Sequence, residues 1–158
     1  MSWRWLISVA LAAALHGLAV AQETRLHGEN SIFTSPSVKL GWAVQRGASE
    51  TDTLVIVRVI ADAGHRFIRL DGVDPFTKDR EVLVMARPLG GAADLSIPRA
   101  SFADHPSTEF HFFASAEDAA ANRPKLTVFY LGVPDTTPEF AERAQAEAYL
   151  DRMLRGQK

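Results

Sequence analysis

Val38-Lys39-Leu40-Gly41-Trp42-Ala43-Val44-Gln45 is followed, after Arg46-Gly47-Ala48-Ser49, by the nearly continuous apolar run Thr53-Leu54-Val55-Ile56-Val57-Arg58-Val59-Ile60. In the first run Val38, Leu40, Trp42 and Val44 alternate with Lys39, Gly41, Ala43 and Gln45. That period of two lays one face of a strand against a core. The second run is broken only by Arg58 and suits a central strand with most of both faces covered. Arg46 to Ser49, with Gly47, turns the chain between them.

Working outward, five more short runs share this character. Arg66 to Leu70 ends at Asp71-Gly72, which reads as a turn pair, and Glu81 to Ala86 is β-branched and apolar before Arg87-Pro88-Leu89-Gly90-Gly91 interrupts it. Leu95 and Ile97 flank Ser96, with Pro98 restricting that strand to an edge. Phe110 and Phe112 alternate with Glu109, His111 and Phe113, and Leu126 to Leu131 supplies the last strand. Seven short strands at intervals of roughly 8–15 residues leave no room for crossover helices, which predicts an all-β, immunoglobulin-like antiparallel β-sandwich over residues 37–134. A small barrel is the alternative closure.

After Pro134 the period changes. The segment Gly132 to Pro138 carries two prolines and reads as a stiff elbow, with Thr137 as N-cap and Pro138 at the first position of a C-terminal α-helix within 135–158. Ala146, Tyr149, Leu150, Met153 and Leu154 form one apolar stripe at helical spacing. The stripe either packs on the sandwich or docks on a partner or a second copy.

The chain has 158 residues, 47% hydrophobic and 23% charged, with 17 Lys and Arg against 19 Asp and Glu and no cysteine. One domain of ordinary globular composition follows. The charge balance disfavours a general nucleic-acid binder, because counterion release from phosphates needs an excess of positive charge. The lack of cysteine excludes disulfides, thiolate metal sites and thiol nucleophiles.

Residues 1–21 read as a signal peptide, with Arg4 as the basic region, an apolar run from Trp5 to Leu15, and Ala19-Val20-Ala21 as the small-x-small end a signal peptidase accepts. Cleavage after Ala21 leaves residues 22–158 with a net charge of -3, since Arg4 is the only charged residue removed. No remaining apolar stretch is long enough to span a bilayer. The expected address is periplasmic, or secreted. Residues 22–36 read as a flexible N-terminal segment with one edge strand at Ile32-Phe33-Thr34.

Candidate chemistry is sparse. His105 and His111, six residues apart around Pro106, are the pair whose imidazoles a turn brings together to hold zinc or copper, with Asp104 or Glu109 beside them. His65 reads as a hydrogen-bonding turn residue, and His27 lies in the N-terminal segment. Asp71, Asp74 and Asp79 surround Phe76 in a loop that also holds Lys78 and Arg80. Those cations compete for the carboxylates, which favours a solvated turn over a calcium loop and leaves Phe76 as an aromatic anchor among charges. Phe113 or Phe129 is surplus to a single core. No nucleophile elbow, zinc-binding helix pair or phosphate loop is present.

Leu40-Gly41-Trp42 and Leu126-Thr127-Val128-Phe129-Tyr130-Leu131-Gly132 resemble, over about two strands, the immunoglobulin-like N-terminal domain of periplasmic thiol–disulfide reductases. The activity of that family requires a cysteine pair, so the resemblance implies the fold alone. These readings converge on an exported, non-enzymatic accessory or adaptor module for an envelope protein, with Phe76, Tyr149, Leu150, Met153 and Leu154 as candidate partner-binding residues and no cofactor. Self-association through the helix is one form of that binding. A metal- or small-ligand-binding protein using His105 and His111 is the alternative. Intact-mass measurement of the protein from an expressing cell checks the leader: the expected species begins at Gln22, and a species retaining residues 1–21 overturns export by this route.

Overall fold

The computed structural model describes residues 23–155; the signal peptide read at residues 1–21 lies outside them. Among the described residues the order is β1 (Thr24–Gly28), β2 (Ile32–Thr34), β3 (Val38–Gln45), β4 (Leu54–Ala61), β5 (Phe67–Val73), β6 (Arg80–Pro88), β7 (Ala92–Pro98), α1 (Ser101–Asp104), β8 (Ser107–Phe113), α2 (Ala116–Ala120), β9 (Leu126–Leu131), β10 (Glu139–Phe140) and α3 (Arg143–Arg155). The fold is mostly β, in two sheets with a C-terminal helix and no closed barrel. The first sheet runs β1-β9-β8-β5-β6, the second β10-β3-β4-β7, with β2 also pairing β3.

The seven runs legible as strands are β3 to β9. β2 is the short strand expected at Ile32 to Thr34, and the structure adds β1 and β10, making ten; both additions pair in parallel, β1 with β9 and β10 with β3. The two additions are short pieces of five and two residues that complete sheet edges. Their own pattern is too brief to announce a strand, and the neighbouring ladder supplies the order. The N-terminal segment is accordingly pinned rather than loose. Gly28 lies against the ring of Tyr130, where a Cβ would stand 2.1 Å from Cζ, and the Tyr130 hydroxyl donates to the Asn30 carbonyl at 3.1 Å. Burial pushes the phenol up to about 12.

The core lies between the sheets. Trp42 of β3 is fully buried, its ring 4.9 Å from Tyr130 and 5.6 Å from Phe110 of the opposite sheet, and 6.0 Å from Phe102 of α1. Val38, Leu40 and Val44 share its face, as the alternation requires, and Leu70, Phe112 and Val128 meet them from the other side.

The second sheet hides its outer face under α3. Ala43 and Ile56 pack with Ala146 and Leu150, and Gly41 leaves room for the helix: a Cβ there would lie 3.0 Å from Leu150 Cδ2 and 3.1 Å from Leu154 Cδ1. Arg58, the interruption in the β4 run, donates to both oxygens of Asp94 at 2.8 and 3.0 Å and to Asp151 of the helix at 2.8 Å, tying sheet and helix together. The stripe expected to face either core or partner is therefore used at Leu150 and Leu154 for internal packing. Tyr149 packs beside Phe140 with the two rings tilted at 42°, and Met153 is partly buried.

Two local expectations change. The helix starts at Arg143, not at Pro138, because the carbonyls of Pro138 and Phe140 accept from the Val44 and Arg46 amides and draw that segment into the sheet as β10. The helix is instead capped by Gln145, whose Oε1 accepts the Glu142 amide at 3.2 Å. Asp71-Gly72 is not a turn but the interior of β5, paired on both sides; the turn lies at Asp74 to Asp79.

Truncating Leu150 to Ala removes a fully buried anchor of the helix, so urea unfolding of the variant should show a loss of roughly 2–4 kcal/mol. A loss under about 0.5 kcal/mol, the range of neutral surface changes, overturns the assignment of α3 to the core.

Candidate functional site

The outer face of the first sheet is built differently from that of the second. Strand register places Arg25 on β1, Thr127 on β9, Glu109 and His111 on β8, Arg69 and Asp71 on β5, and Arg80 on β6 on the same side. Asp71, Glu109 and His111 are at most 5% exposed. Among the described residues no long helix covers them. The arginine stems do so, with their guanidinium groups turned onto the acids.

The partners are specific. Arg69 grips Asp71 with Nε and Nη2, both at 2.9 Å, while its guanidinium also lies over the Phe113 ring at 5.5 Å. Arg25 and Arg80 both contact Glu109. His111 sits between the acids and a hydroxyl, with Nε2 3.2 Å from Asp71 Oδ2 and Nδ1 2.8 Å from Thr127 Oγ1. Burial alone would raise the Asp71 carboxyl, but hydrogen bonds from His111 and Arg69 outweigh it and hold it below the ordinary 3.8. Glu109 behaves alike: burial opposes its charge, and Arg25 and Arg80 bring it below 4.5.

Hydroxyl, imidazole and carboxylate in line resemble the parts of a nucleophilic triad. Thr127, however, has no exposed surface, and a nucleophile must reach a substrate carbonyl. The arrangement therefore fixes side chains rather than reacting groups.

The two histidines read as a metal pair fall on opposite sides of this sheet. His111 is on the outer face. His105 lies under the core-side face, where a Cβ on Gly72 would stand 2.5 Å from its Cγ, and its Nε2 pairs with Glu81 at 2.7 Å. The sheet itself separates them, since His105 precedes β8 and lies beneath Gly72 while His111 projects from the opposite face of that strand. Among the described residues no group of three His, Cys, Asp or Glu side chains is placed to hold a metal ion. His65 is the turn residue expected, its Nδ1 2.7 Å from Asp62 Oδ1, and it borders an open cavity of about 460 Å³ with Arg66, Phe67, Pro88, Gly90 and Gly91.

Phe76 is the most exposed large apolar side chain among the described residues, at 91%. Its loop is nonetheless ordered by its own hydrogen bonds. Asp74 Oδ1 accepts the amides of Phe76 at 2.8 Å and Thr77 at 3.2 Å, the Asp74 carbonyl accepts the Lys78 amide, and Lys78 adopts φ +67° to close the turn. Val82 and Met85 on the adjoining strand are also exposed, so three of the four large exposed apolar residues lie on the β5–β6 hairpin.

Sequence reading singled out Phe76 and His111, and Arg80 as a cation competing for the nearby carboxylates, but not Arg25 or Arg69. A signal was present: Arg69-x-Asp71 and Glu109-x-His111 put charge at alternate positions of otherwise apolar strands, which marks one polar face.

Both buried carboxyls titrate lower in the folded than in the unfolded chain. Their stabilisation is complete above 3.8 and 4.5 and is lost as the pH falls below those values. A double variant, Asp71→Asn with Glu109→Gln, should lose on the order of 3 kcal/mol at neutral pH. Its urea midpoint should also fall less steeply than the wild type's between about pH 5 and pH 3. Parallel pH profiles overturn the coupling. No family model matches this chain, and no curated protein or solved structure does either.

Proposed function

We propose that the protein is exported to the periplasm and acts there as a non-enzymatic binding module, an accessory or adaptor that engages an envelope protein through the Phe76 loop. The observation that carries this reading is an almost fully exposed phenylalanine on a loop that its own Asp74 holds in shape. Exposing such a ring to water is unfavourable, and a preorganised anchor loses little entropy when a partner's pocket receives it. Charged neighbours, Lys78 and Asp79, form the polar surround that such anchors carry.

On this reading the sandwich is of immunoglobulin-like type. Support comes from strand order: β3-β4-β7 follows the A-B-E order of that fold and β9-β8-β5-β6 follows G-F-C-C′, with β4 and β5 linking the two sheets as B and C do. The position of its tryptophan differs, since Trp42 lies on β3. The inaccessible Thr127 hydroxyl weighs against an acyl-transfer enzyme, and the separation of His105 from His111 weighs against a metal centre on that pair.

Photo-crosslinking in cells tests the proposal, with a reactive amino acid placed at position 76 and, as control, at the exposed Thr51 in the short 3-10 turn between β3 and β4. The expected result is a discrete adduct with one envelope protein from position 76 only. Phe76→Ala should then weaken binding of that purified protein by about 2 kcal/mol while leaving thermal unfolding unchanged. No adduct at position 76, or the same adduct from both positions, overturns it.

A further inference from the structure

We propose that β6, the edge of the first sheet, pairs antiparallel with β6 of a second copy of this chain, with a two-fold axis through Val84. β6 is nine residues long and β5 is its ladder neighbour on one side; on the other side the strand is open among the described residues. Val82 is 45% and Met85 73% exposed beside that open ladder. The other sheet edges are shorter: β1 has five residues, β10 two and β7 seven. A long apolar edge is the place where another strand adds, because its free amides and carbonyls are already in line.

The residues of β6 specify the occupant. Read about Val84, the strand is self-complementary: Glu81 falls opposite Arg87, Val82 opposite Ala86, and Leu83 opposite Met85. An apolar centre is thus closed by an opposite-charge pair at each end. The two charged residues also point the same way. Glu81 pairs with Gly72 and Arg87 with Ile68, positions that share one face of β5 with Leu70. Glu81 is held by His105 at 2.7 Å and Arg87 by the Asp94 carbonyl at 2.7 Å, which presets both without using all their hydrogen-bonding capacity.

Orientation follows from the same charges. Parallel, in-register pairing would set Glu81 against Glu81 and Arg87 against Arg87, which is repulsive. Antiparallel pairing turns both contacts into attractions. The two Phe76 loops then project from opposite ends of the shared strand pair, so the dimer remains compatible with partner binding there and stands or falls separately from it.

Sedimentation equilibrium of the mature chain is the test. The wild type should dimerise, and Glu81→Arg and Arg87→Glu should each weaken dimerisation roughly tenfold or more, since each variant places like charges at both ends. An equimolar mixture of the two single variants should regain dimers, as should the double variant in one chain, because each restores opposite charges at both ends. Met85→Lys, at an exposed position that leaves the fold intact, should also weaken association. A wild type monomeric up to about 1 mM overturns the proposal. So does a dimer that none of these substitutions affects, or single variants whose mixture stays monomeric.

Discussion

The contact on which the rest depends is that of Trp42 with Tyr130 and Phe110, because it is where one sheet meets the other. A sandwich must bury an inner face on each sheet, and large rings fill the roughly 10 Å gap between layers with few side chains. Tyr130 does a second job through its hydroxyl and its close approach to Gly28, binding the N-terminal strand to the same core. Core packing and the ordering of residues 24–34 are therefore one arrangement rather than two.

With the inner faces spent, each sheet still has an outer face, and the protein treats them by opposite means. The second sheet presents Gly41, Ala43 and Ile56, small or apolar, and covers them with the apolar stripe of α3. The first presents acids and arginines that cover one another. Buried ion pairs are weak contributors to net stability, since desolvation offsets their attraction. What they supply is position: Asp71 and Arg69 on β5 and Glu109 and His111 on β8 are held within ion-pair distance of one another and of Arg25 and Arg80, which ties β5 and β8 together beneath the hairpin that displays Phe76. The site is thus a rigid platform with an exposed tip, not a cleft.

Much of this was legible from side-chain period. Strands β3 to β9 each carry their alternation or their apolar run within the chain's own order, and the helical stripe from Ala146 to Leu154 is equally plain. Phe76 announced itself by being apolar in a charged loop. What escaped reading depended on groups distant in sequence. Asp71-Gly72 has the composition of a turn, and only the ladders of β6 and β8 on either side of it make it part of a strand. Thr137-Pro138-Glu139 has the composition of a helix start, and only the open edge of β3 makes it a strand.

The sequence by itself determined the kind and the approximate place of the main elements, though not the strand count, because hydrophobic period is a local property that each segment carries alone. Only the tertiary structure decided which face of a sheet each polar residue joined, and so that His105 and His111 part company while Arg25 and Glu109, eighty-four residues apart, meet. The reason is that an ion or imidazole is stabilised by whichever partner folding brings within hydrogen-bond distance, and that partner is set by register across strands rather than by spacing along the chain.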